Sequence, residues 1–178
     1  MKKIFIIGIL LLLVSASIIF NKKDARESIL PSKIYEIQPG ERFSLQATPA
    51  TKTIDGKHLE LFTYNGQFPG PLLKVKQHSK IFVDFINNID QDTTIHWHGL
   101  RHNYRFDGVP DISQPPVQPG ESFTYELFFP DFGVFWYHPH IREDIQQERG
   151  MYGMIIVEPE ETTTIREIPL IFDDMLLE

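Results

Sequence analysis

The chain has 178 residues, 42% of them hydrophobic, which is enough for one domain with an ordinary core plus a leader. Its formal charge is −7 and no basic stripe is present, which argues against a nucleic-acid partner. It contains no cysteine, and this excludes disulfides, a lipid-modified leader cysteine and thiolate metal ligands.

Residues 1–23 read as a signal peptide or membrane anchor. Lys2 and Lys3 precede an uncharged apolar run from Ile4 to Phe20, and Val14-Ser15-Ala16-Ser17 offers small residues for cleavage. The run of 17 residues lies at the lower limit of a membrane span, so a cleaved export signal is favoured over a retained anchor. No twin-arginine pair precedes it. The expected location is therefore exported, periplasmic or cell-surface, with a membrane contact only through an uncleaved leader. A polar tether over 24–32 follows.

From Lys33 short alternating runs are separated by turn signals. Strands are expected over 33–37, 42–47, 58–64, 72–76, 80–86, 93–98, 122–129, 134–138 and 152–158, with Asp55-Gly56 as a hairpin turn. Only 142–150 has helical texture, and it is short and charged. Short strands at regular spacing argue an all-β sandwich or barrel spanning 33–158. Residues 159–164 form an acidic, threonine-rich linker. The segment from Glu167 to Asp174 reads as a fresh strand, so 159–178 is expected to be a linker and the first strand of a truncated second domain.

Two motifs stand out, His96-Trp97-His98-Gly99 and His138-Pro139-His140, which hold four of the seven histidines. On a strand, residues i and i+2 share a face roughly 6.5 Å apart. Four imidazoles can therefore converge on metal if the two strands are neighbours, and imidazole suits copper, zinc and iron alike. His58, His78 and His102 are expected at the surface, and Trp97, Trp136 and Tyr137 as packing beside the site. Asp107-Gly108 reads equally as a plain turn or as a carboxylate near the metal.

The ordered set of motifs resembles the N-terminal cupredoxin domain of the multicopper oxidases, of the laccase and bacterial copper-tolerance type. Asn65 to Pro71, Thr93 to Leu100, Asp107-Gly108-Val109-Pro110, Gln114-Pro115-Pro116, Gln118 to Glu121, Phe135 to His140 and Gly150 to Gly153 carry the resemblance in order. Proline stands between His138 and His140 where serine is more usual. The resemblance implies a cupredoxin-like Greek-key β-sandwich or barrel. It implies copper as cofactor, with His96 at a type 2 copper and His98, His138 and His140 at a type 3 pair of a trinuclear cluster. It also makes Asp107 the acidic residue that tunes bound water and passes protons. The whole enzyme would oxidise a phenol or metal ion one electron at a time and reduce dioxygen to water. Its partners would be dioxygen, a small reducing substrate and a C-terminal cupredoxin domain. The type 1 copper cysteine and half of the cluster ligands are absent from these 178 residues, so oxidase activity is not expected of this chain alone. The alternative is a stand-alone cupredoxin-like module that binds or buffers copper. A copper nitrite reductase is disfavoured by the tryptophan in the first motif and the pairing in the second.

Overall fold

A computed structural model of the chain describes residues 29–161 and 167–174. The leader expected over 1–23 lies outside these residues. Among the described residues no helix is long and apolar enough to cross a membrane.

Among the described residues nine strands form two sheets: β1 (Ile34–Glu36), β2 (Arg42–Ile54), β3 (Lys57–Tyr64), β4 (Leu72–Lys76), β5 (Lys80–Asn87), β6 (His96–His98), β7 (Ser122–Phe128), β8 (Gly133–His138) and β9 (Gly153–Glu158). One sheet runs β1-β4-β9-β8-β6 and the other β3-β2-β5-β7. Both are mixed: β1–β4, β4–β9 and β2–β5 pair in parallel, the remaining pairs antiparallel. This is the expected all-β, cupredoxin-like sandwich. The core lies between the sheets and is rich in aromatics, with Trp97, Tyr64, Tyr125, Tyr137, Phe85 and Phe129 fully buried. Strand alternation delivers them. In β5, Ile81, Val83 and Phe85 point inward while the residues between them are partly exposed.

Asp55 and Gly56 both have positive φ, at 49° and 78°, as a two-residue hairpin turn requires. Strand β2 runs to Ile54, well past the end expected at Ala47. Its polar second half does not alternate in hydrophobicity, but it pairs residue by residue with β3 from Ala47↔Tyr64 to Ile54↔Lys57. The Thr48 and Thr63 hydroxyls meet across that ladder at 3.0 Å.

Strand β6 is shorter than the run expected over 93–98. Thr93 instead exchanges backbone hydrogen bonds with Val117, and the Ile95 N–H donates to the Tyr125 hydroxyl at 2.9 Å. The approach to β6 is thus satisfied by a bridge and a side chain, not by a ladder. Helix α1 (Glu143–Gln146) occupies part of the segment with helical texture. Residues 167–174 have no strand conformation and pair with no strand among the described residues. Leu170 and Phe172 instead line a cavity of about 340 Å³ with Trp136, Tyr152 and Met154, and the Tyr152 hydroxyl donates to Asp173.

Candidate metal centre

Register places the histidines. Strand β6 is the edge of its sheet and pairs antiparallel with β8, so that His96 faces His138, Trp97 faces Tyr137 and His98 faces Trp136. Alternation sends Trp97 and Tyr137 into the core, where both are fully buried. The other four members, His96, His98, Trp136 and His138, share the opposite face. Gly153 on β9 lies beside Tyr137 in the register, and any Cβ there would sit 2.3 Å from the phenol ring. That absent side chain lets the Tyr137 hydroxyl reach the Pro71 carbonyl at 2.6 Å and fixes β8.

The four imidazoles converge. The ring of His96 lies 5.5 Å from His98, 5.5 Å from His138 and 4.3 Å from His140, centroid to centroid. One ring nitrogen from each of His96, His138 and His140 falls within 4.8 Å of the others. His98 stands on the flank of His138, its Nδ1 3.4 Å from His138 Nε2. Trp136 stacks on His138 at 4.0 Å with planes 19° apart, which restrains that ring. His140 continues beyond the strand end, its N–H 3.4 Å from the Thr94 hydroxyl and its Nδ1 3.6 Å from Glu143.

Backbone carbonyls orient two of the rings. His96 Nδ1 lies 2.7 Å from the Asp107 carbonyl oxygen, and His138 Nδ1 lies 2.9 Å from that of Pro139. A carbonyl only accepts, so each Nδ1 carries the proton and each Nε2 keeps its lone pair for a metal. Burial pushes the His138 imidazolium down to about 4, with the neighbouring histidines adding to the effect. The His140 ring is lowered too, first by burial and then by His96. Both are thereby neutral, ligand-ready imidazoles near neutral pH. A donor set of imidazoles alone, with no thiolate, fits copper or zinc.

Asp107 is brought to the cluster, with Oδ1 3.3 Å from His96 Nδ1. The Asp107-Gly108 pair is more than a free turn. Gly108 has φ +73°, and a Cβ there would lie 1.8 Å from the Ile95 carbonyl oxygen, so this loop is pressed against the residue that precedes His96. His58 and His78 are exposed as expected. His102 is not: its side chain is 1% exposed and approaches Asp107 Oδ1 at 3.4 Å. The expectation of a surface position failed because a 3-10 turn (Tyr104–Phe106) folds His102 inward, and no periodicity in the sequence signals that. The other contributor that sequence reasoning missed is Gln146. It is fully buried on α1, accepts from the Thr93 hydroxyl at 2.7 Å and donates to the Asp92 carbonyl at 2.9 Å.

A β-sandwich that gathers four imidazoles on the outer face of an antiparallel strand pair at one sheet edge defines a cupredoxin-type, metal-binding domain. Comparison with known proteins narrows the class. The multicopper oxidase family model matches residues 36–162. Copper resistance protein A of Escherichia coli is 31% identical over 176 residues, covering 97% of this chain and 29% of that protein. Multicopper oxidase MCE of Talaromyces pinophilus is 37% identical over 119 residues, covering 66% of this chain and 19% of that protein. Among solved structures, a multi-copper oxidase from Pseudomonas thermotolerans superimposes with a TM-score of 0.68 at 40% identity, covering 76% of this chain and 32% of that one. The chain belongs to the multicopper oxidase family, a family of copper-binding oxidoreductases. It spans between about a fifth and a third of the length of these relatives.

Proposed function

We propose that this chain is the N-terminal copper-binding part of a multicopper oxidase and supplies half of the ligands of a trinuclear copper cluster. The observation that carries the reading is the β6–β8 register, which sets His96 opposite His138 and gathers four imidazoles on one face. His96 would hold the type 2 copper, and His98, His138 and His140 the type 3 pair. Copper supplies one-electron redox chemistry, so that four single-electron oxidations of a phenol or metal ion match the four electrons and four protons that turn dioxygen into two waters. The role of this chain is to hold neutral imidazoles at fixed spacing and a carboxylate beside them. Asp107 Oδ1, 3.3 Å from His96 Nδ1, is placed to steady that ring and to take up or release a proton at the cluster edge.

Residues 33–158 are the cupredoxin unit in this reading, and 159–178 lead toward a further domain that completes the cluster. The leader over 1–23 directs export, and the copper is loaded outside the cytoplasm.

Two measurements test it. Copper titration of the chain should give binding that His98→Ala and His138→Ala each weaken at least tenfold. Unchanged affinity in both variants would overturn the ligand assignment. Reading the coding DNA beyond Glu178 in all three frames should reveal His-x-x-His-x-His and His-Cys-His. A stop codon with neither motif in any frame would leave a copper-binding module and remove the oxidase claim.

A further inference from the structure

His102 belongs to neither histidine motif, yet its ring is buried and both ring nitrogens lack a hydrogen-bond partner of normal geometry. A buried polar side chain without a partner calls for a reason. The geometry around it supplies one. His102 Nε2 is 3.4 Å from Asp107 Oδ1, and the same oxygen is 3.3 Å from His96 Nδ1. One carboxylate oxygen therefore lies between two imidazoles.

The local chain builds this arrangement. Asn103 Oδ1 accepts from the Arg105 N–H at 3.1 Å, and the Asp107 N–H donates to the Tyr104 carbonyl at 3.1 Å. The turn between them folds His102 and Asp107 toward each other. Phe106 anchors it on Phe123 of β7, ring centroids 6.5 Å apart, and Gly108 closes against Ile95. The Asp107 backbone is thus fixed. Its carboxylate is still 34% exposed, so water competes for it and a donor on the inner side would help to hold it in place.

We propose that His102 is a positioning residue that holds the Asp107 carboxylate against the Nδ1 edge of His96, acting on the copper-facing ring through Asp107 without touching metal. The inference rests on the copper-site reading above. Partners in the outer shell of a metal site are typically worth 10–100-fold in affinity. His102 acts one residue further out, which sets its effect near the lower end, at about tenfold.

A double-mutant cycle on the full chain tests it: wild type, His102→Leu, Asp107→Ala and the pair. Two quantities are read, Cu(II) affinity by competition and, in the metal-free chain, the fraction of His96 carrying its proton on Nδ1, by long-range nitrogen–proton NMR. His102→Leu should weaken copper about tenfold and reduce that fraction. His102→Gln, whose amide still donates, should restore most of both. In the Asp107→Ala background His102→Leu should have no further effect. Equal losses in both backgrounds would mark His102 as mere packing, and no loss in either quantity would remove its role; both outcomes overturn the inference. Should His102→Leu fail to fold, His102→Met takes its place in the cycle. If His98→Ala and His138→Ala leave copper affinity unchanged, the copper-site reading fails, and the Nδ1 tautomer fraction of His96 still decides the inference by itself.

Discussion

At Gly108 the backbone and the metal site are one problem. An alanine there would have to hold φ near +73° and place its Cβ 1.8 Å from the Ile95 carbonyl, so either the loop or the strand entering His96 must move. Gly108→Ala is expected to cost about 2–4 kcal/mol of folding stability and to weaken copper binding, because the displaced Asp107 carbonyl no longer accepts from His96 Nδ1. Urea unfolding and copper titration of the same variant check both. Unchanged values would show that the loop moves freely. His138 gives the pH dependence. In the folded, metal-free chain burial pushes it down to about 4, against an ordinary value of 6.5. Between these values the unfolded chain binds the proton and the folded chain does not, so stability rises with pH across that window. Its contribution is complete above about pH 6.5 and is lost as pH falls toward 4. His140 and His102 shift in the same direction. The urea midpoint of the metal-free chain should therefore fall between about pH 7 and pH 5, and His138→Gln should flatten that profile. A profile untouched by the substitution would assign the slope to other groups.

Among the elements, α1 is only four residues long, yet it ties the two motif-bearing segments together. Gln146 holds the Thr93 hydroxyl and the Asp92 carbonyl at the entry to β6, while its own backbone carbonyl accepts from the Met151 N–H that leads into β9. Gln146→Ala would remove both bonds, one of them to the buried Thr93 hydroxyl, and open a cavity. The expected cost is about 2–4 kcal/mol, with sharper exchange at the Thr93–Ile95 amides than in β5. Calorimetry and hydrogen exchange would show it, and protection that falls equally in both strands would mean global loosening instead. Most strands were legible because they alternate, as in Ile81-Phe82-Val83-Asp84-Phe85, and because Asp55-Gly56 marks its own turn. The four histidines were legible as two pairs at a spacing of two, although of the second pair only His138 lies on its strand. What was hidden is long-range. The second half of β2 is a strand only because β3 pairs with it, Gln146 is a side-chain bond across 53 residues to Thr93, and His102 is buried by a turn whose sequence reads as a polar loop. The run from Glu167 to Asp174 alternates too weakly to distinguish a strand from an irregular segment whose exposed Leu170 and Phe172 line a cavity beside Trp136 and Tyr152.

The 178 residues combine four imidazoles gathered in one cluster with a total absence of cysteine. Blue copper sites owe their colour and their electron-transfer role to a thiolate bound with two imidazoles. No residue of this chain supplies that thiolate, wherever copper binds. Copper-loaded chain should therefore show the magnetic resonance signal of imidazole-bound Cu(II) without an intense thiolate band in the visible. Under the proposed function it should also take up no oxygen in the presence of a phenol, since its four imidazoles would hold half of a trinuclear cluster and no cysteine is present for a type 1 copper. Joining the chain to a partner that carries His-x-x-His-x-His and His-Cys-His should restore both the blue band and oxygen uptake. The band alone would report only the partner's own cysteine site; under the proposed function oxygen uptake requires a shared cluster, and it should vanish when His98 or His138 of this chain is replaced by alanine. Uptake that survives both replacements would place oxygen reduction wholly on the partner and reduce this domain to a scaffold.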